Sequence, residues 1–156
     1  MTDPNLPWDA IAAVGACVTA IVAWWQIQAL RAQQKGWETL HACRQYDTDA
    51  VLDKALSVVR DARTRGDLAK DPLPWRLEIV TVLNYLEGIA TGIAQGFYDK
   101  RIVRDHMEPI MKDHVHEFLA GPVMTKLDFK PEYFPNLVAL VEAWKVVKPT
   151  YKMGLF

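Results

Sequence analysis

The chain has 156 residues, with 18 Lys and Arg set against 19 Asp and Glu for a net charge of −1, so it lacks the basic surplus of a general nucleic-acid binder. Its length allows one compact domain beside a short appended segment. Two cysteines, Cys17 and Cys43, are too few for a disulfide framework or a zinc site, and both read as small buried side chains.

Residues 1–7 form a short N-terminal segment, and Trp8–Leu30 then reads WDAIAAVGACVTAIVAWWQIQAL. From Ala10 to Trp25 nothing is charged, and only Thr19 carries a hydroxyl. As a helix, Ala10–Leu30 would extend roughly 30 Å, the thickness of a bilayer's hydrocarbon core. Trp8 and the Trp24–Trp25 pair would stand about 26 Å apart, where aromatic rings favour the two membrane–water interfaces. The segment predicts a single transmembrane helix over residues 8–30.

Every Lys and Arg of the chain follows that segment, Arg31, Lys35 and Arg44 closely. Such residues stay preferentially on the cytoplasmic side, which predicts an N-terminus outside and a body in the cytosol of a bacterial inner-membrane protein. Trp8, Trp24, Trp25, Arg31 and Lys35 are the expected interfacial anchors. A cleavable signal peptide wants a basic leading region, and Met1–Trp8 has none. Val14-Gly15-Ala16-Cys17 loosely resembles a lipidation box, but Cys17 lies in mid-run. Ala12, Ala16 and Ala20 make one small-residue row, and Gly15, Thr19 and Ala23 make another. Small residues at this spacing let membrane helices approach closely, so a packing partner in the bilayer is expected, either a larger complex or a second copy.

Residues 31–46 continue as a stalk helix with Gly36 as its weak point, and residues 47–149 form a helical body. Asp47-Thr48-Asp49 offers caps for a helix over about Ala50–Arg65, whose Val51, Leu52, Ala55, Leu56, Val59 and Ala62 share a face. Gly66 stops it, and Asp71-Pro72-Leu73-Pro74 is a rigid connector. Trp75–Phe97 is the most apolar stretch of the body and predicts the central helix, with Ile79, Leu83, Leu86, Ala90, Ile93 and Phe97 in its stripe. Glu78, Asn84 and Glu87 argue against its spanning a membrane. Asp99 caps a fourth helix towards Leu119, with a kink or break at Pro109, and Gly121-Pro122 ends it. After a loop through Leu127–Lys130, a last helix follows Pro131 and Pro135 and closes at Pro149, leaving a tail over residues 150–156. The fold class is therefore all-α: one transmembrane helix, then a cytoplasmic bundle of about four helices.

Gly88, Gly92 and Gly96 recur every four residues along the central helix, which points to close approach of a neighbouring helix or to a groove for a partner. Gly96 doubles as a C-terminal stop. Glu87, at the edge of the core stripe, reads as a hydrogen-bonded or ion-paired structural carboxylate rather than a general acid or base, because no nucleophile can be tied to it. His106, Asp113 and Glu117 would share one face of an unbroken helix, yet that face lies opposite the apolar stripe of Met107, Met111, Val115 and Phe118. No metal-ligand spacing appears, no nucleotide or hydrolase motif occurs, and no cofactor is expected.

Residues 82–103, VLNYLEGIATGIAQGFYDKRIV, resemble the central motif of the bacterial proteins grouped as domain of unknown function 4760. There an Asn-x-x-Glu turn precedes an apolar helix, a glycine and a short acidic turn; the matching positions here are Asn84, Glu87, Gly96 and Asp99. The resemblance implies an N-terminal membrane helix ahead of a helical body, and it supplies no activity. Taken with the anchor, it leads to the expectation of a non-catalytic accessory or scaffolding subunit of a larger membrane complex. A homo-oligomeric regulatory or sensor module is the alternative.

Overall fold

A computed structural model describes residues 6–146, and among these every regular element is helical. In chain order they are α1 (Leu6–Thr48), α2 (Ala50–Thr64), a short α3 (Asp67–Lys70), α4 (Arg76–Ala94), α5 (Lys100–Leu119), a short α6 (Pro122–Leu127) and α7 (Pro135–Val146). Single 3-10 turns, Leu73–Trp75 and Pro131–Tyr133, lead into α4 and α7. The chain is all-α, a long apolar N-terminal helix followed by a bundle whose principal members are α2, α4, α5 and α7. The expected tail, the closing Pro149 and the first residues of the 1–7 segment lie outside the described residues.

α4 is the centre, as its apolar composition requires. Ile79, Val82, Leu83 and Leu86 are wholly buried, and the helix packs against α2 on one side and α7 on another. This helix is also apolar enough to be tallied as a membrane span, but its buried stripe belongs to the bundle core. α5 packs against α6, α7 and the lower part of α1. There α1 contributes Thr39, Ala42, Cys43 and Tyr46, buried at the i, i+3, i+4, i+7 spacing of one helix face.

Two contacts fix the direction of the helices. Ile102, in the first turn of α5, lies 3.6 Å from where a Cβ on Gly36 would stand, and the His114 ring meets the Tyr46 ring edge-on at 6.5 Å. α5 therefore runs parallel to α1, away from the apolar stretch. α4 runs the other way, and the α4–α5 turn sits at the end of the bundle nearest that stretch.

α1 runs on into the expected stalk as one helix, uninterrupted at the weak point Gly36. Several expectations need correction. α5 is continuous across Pro109, because the ring is exposed while Met107 and Met111 on either side are buried and hold the helix to the core. Gly121-Pro122 does end α5, and residues 128–130 are irregular as expected, but the stretch between is helical. Pro122 starts α6, which buries Val123 and Leu127. Gly121 is needed there: a Cβ would stand 2.8 Å from the Glu117 carbonyl oxygen. Val51 and Phe97 share the apolar period of their segments but are exposed, Val51 in the first turn of α2 and Phe97 past the end of α4. Cys43 is buried, whereas Cys17 is exposed on α1.

Candidate functional site

The feature that sets this molecule apart from an ordinary bundle is the upper part of α1. Its most apolar 18 residues have a mean hydropathy of 1.8, and none of them is buried by the rest of the chain. Ile11, Val14, Val18, Ile21, Val22, Ile27 and Leu30 are exposed, as are Trp24 and Trp25, the latter to 75%. Trp8 lies in the first turn of the helix. Water is a poor solvent for such a surface, at roughly 25 cal/mol for each Å² of apolar area. The one hydroxyl in the run is satisfied internally, for Thr19 Oγ1 donates to the Gly15 carbonyl at 2.8 Å. The N-terminal helix is thus long and apolar enough to cross a membrane.

Between residues 12 and 23 its two sides differ, whereas Ile27 and Leu30 below come round to the small-residue side. At about 100° of turn per residue, Ala12, Gly15, Ala16, Thr19, Ala20 and Ala23 fall within an arc of about 140°. Ile11, Val14, Val18, Ile21, Val22 and Trp25 fall within about 100° on the far side. Carried down the same helix, the buried Thr39, Ala42, Cys43 and Tyr46 lie on the bulky side, so the small-residue face points away from the bundle. A Cβ on Gly15 would meet nothing within 4 Å. Arg31 is exposed and Lys35 half-buried just below the apolar run.

The junction between α1 and the bundle is built from polar groups that the chain satisfies locally. Thr39 Oγ1 donates to the Lys35 carbonyl at 2.6 Å and accepts from the Asp99 N–H at 2.8 Å. The Asp99 carboxylate in turn caps α5, accepting from the Arg101 N–H at 2.8 Å. The Tyr85 hydroxyl donates to the Ala42 carbonyl. Burial pushes Tyr85 well above the ordinary phenol range, and Tyr46, desolvated and close to Asp47, rises to about 12. Both phenols are therefore neutral at physiological pH.

The three glycines do not form a groove. Gly88 is exposed, with open space where a Cβ would be. Gly92 is buried under Tyr98, whose ring would collide with a Cβ, so the close neighbour is the chain's own next turn and not another helix. Gly96, at φ +79°, ends α4 in a Schellman turn: the Phe97 N–H donates to the Gly92 carbonyl at 2.8 Å and the Gly96 N–H to Ile93 at 3.0 Å. Glu87 is a cap supplied from a neighbouring helix. Its carboxylate accepts from the Leu137 N–H at 2.8 Å, the Asn136 N–H at 3.2 Å and Asn136 Nδ2 at 2.8 Å, satisfying the free N–H groups of α7.

The histidines are dispersed. His106 Nδ1 bonds the Ile102 carbonyl at 2.9 Å, and His114 is buried against Tyr46 and Phe118, its pKa lowered by desolvation. Asp113 and Glu117 are taken up by Arg63 of α2, which reaches Asp113 at 3.1 Å. These residues border an open cleft of about 450 Å³ with Leu68, His116 and Val123. Among the described residues no group of three His, Cys, Asp or Glu side chains is placed to hold a metal ion.

Comparison with known proteins bears on the whole of this arrangement. The family model for Domain of unknown function (DUF4760) matches residues 13–144, from within the apolar helix to the buried Trp144. The chain belongs to the DUF4760 family. The match takes in most of the exposed apolar helix together with the bundle. No curated protein and no solved structure matches it.

Proposed function

We propose that the chain is a single-pass protein of a bacterial inner membrane, N-terminus outside and bundle in the cytoplasm, acting as a non-catalytic accessory or scaffolding subunit of a larger membrane complex. The observation that carries this reading is the two-sidedness of α1: a small-residue face within the apolar stretch, bare of the chain's own contacts and directed away from the bundle. A partner's membrane helix packs closely against such a face without colliding with the cytoplasmic body. The charge bias across the stretch supports the orientation, since Arg31, Lys35 and Arg44 all follow it. The internal satisfaction of Glu87, Asp113 and Glu117 supports a structural role for these carboxylates.

The test is extraction of tagged full-length protein in mild detergent, with mass spectrometry of what accompanies it and size determined on the same sample. Stoichiometric larger membrane proteins are expected. A lone homo-oligomer overturns the accessory-subunit reading in favour of a self-contained regulatory module.

A further inference from the structure

The α4–α5 turn lies at the level of Gly36 to Thr39, about 9–13 Å beyond Leu30 along α1. A bilayer's headgroup region adds roughly 5–7 Å outside the hydrocarbon core, so this turn is the part of the bundle that comes closest to a leaflet. It presents Phe97, exposed to 64%. Phe97 is not spare loop: its N–H closes the Schellman turn, and the hydrophobic contact such a turn usually makes is replaced here by Tyr98 over Gly92. The backbone at Phe97 is therefore fixed by the turn, and its ring is exposed.

Lys100 and Arg101 follow it in the first turn of α5, both exposed, and on α1 Arg31 is exposed and Lys35 half-buried between the apolar run and this level. Among the described residues neither Lys100 nor Arg101 is in an ion pair. Of the nearby acids, Asp99 caps α5 and Glu38 accepts from Gln34, while Asp105 lies one turn further down α5, on the side away from the leaflet. Long basic side chains extend to within a Debye length, about 8 Å, of headgroup phosphates at this height.

We propose that this rim docks on the leaflet, with Lys100 and Arg101 facing anionic phospholipid headgroups and Phe97 seated among them. The inference rests on the membrane-anchor reading above. Charge complementarity and continuity with the apolar helix single out lipid as the occupant. The docked rim fixes the bundle against the membrane surface at a second point besides α1.

The test places an environment-sensitive label at Phe97→Cys in full-length chain carrying Cys17→Ala and Cys43→Ala, with Ser57→Cys on α2 as the distal control. The protein is reconstituted in phosphatidylcholine alone, or in an equal mixture with phosphatidylglycerol, each doped with headgroup-nitroxide lipid, and carbonate extraction is run on the same vesicles. Quenching at position 97 but not 57 is expected in the anionic mixture, and Lys100→Gln with Arg101→Gln should lower the docking equilibrium about fivefold per charge. A carbonate-resistant chain without quenching at 97, or with quenching indifferent to lipid charge and to these substitutions, overturns the docking and leaves the anchor standing. A chain released by carbonate overturns both.

Discussion

Alanine scanning at Gly88, Gly92 and Gly96 separates three situations that share one spacing. Gly88→Ala fills open space on an exposed helix and should stabilise by about 0.5–1 kcal/mol. Gly92→Ala drives a methyl into the Tyr98 ring and should cost about 1–3 kcal/mol. Gly96→Ala forces a side chain into the left-handed region, at a cost of about 1–2 kcal/mol. Urea unfolding of the detergent-solubilised chain would rank them, and three equal effects would contradict this account. His114 adds a pH dependence. Its folded pKa lies below the ordinary value of 6.5, so the unfolded chain takes up protons first. The stability due to neutral His114, beside Arg63 and Asp113, is complete above about pH 6.5 and is lost as pH falls towards the folded pKa. Melting wild type and His114→Gln at pH 7.5 and 5.5 should show a flatter response in the variant.

At the scale of elements, the sequence pattern carried furthest where apolar residues were large and regularly spaced. α4 announces itself through Ile79, Val82, Leu83 and Leu86, and α2 through Asp49 and its buried face. The lower stripe of α1 was hidden because two of its four members, Thr39 and Ala42, carry weak hydrophobic signals; their spacing alone would have found it. Pro109 misled for the opposite reason. Its local preference to break a helix is real, but packing on both sides outweighs it. Pro109→Ala should accordingly stabilise the bundle by about 1–3 kcal/mol in the same unfolding assay. The site residues were legible only as types: the sequence placed Glu87 near the core edge but could not reveal that its partner is a helix terminus fifty residues away. Within α1, Gly15→Ile with Ala16→Ile should abolish association with a partner helix while leaving membrane insertion intact, read as co-purification against carbonate extraction.

For the whole molecule, orientation is the property most directly open to measurement. A reporter fused after the bundle should be active when it requires the cytoplasm and silent when it requires export, and the reverse result would invert the topology. One further consequence lies in the unbroken passage of α1 through Gly36. A helix gripped by the core through Thr39 and Tyr46, and free above, behaves as an axle: rotation of its upper part is rotation of the bundle. One alanine inserted after Leu30 would turn the bundle by about 100° relative to the small-residue face, whereas seven would return it to within about 20° of its original bearing at the expense of about 10 Å in height. Angular phase, more than contact chemistry, then decides which flank of the bundle a neighbour alongside the membrane helix encounters.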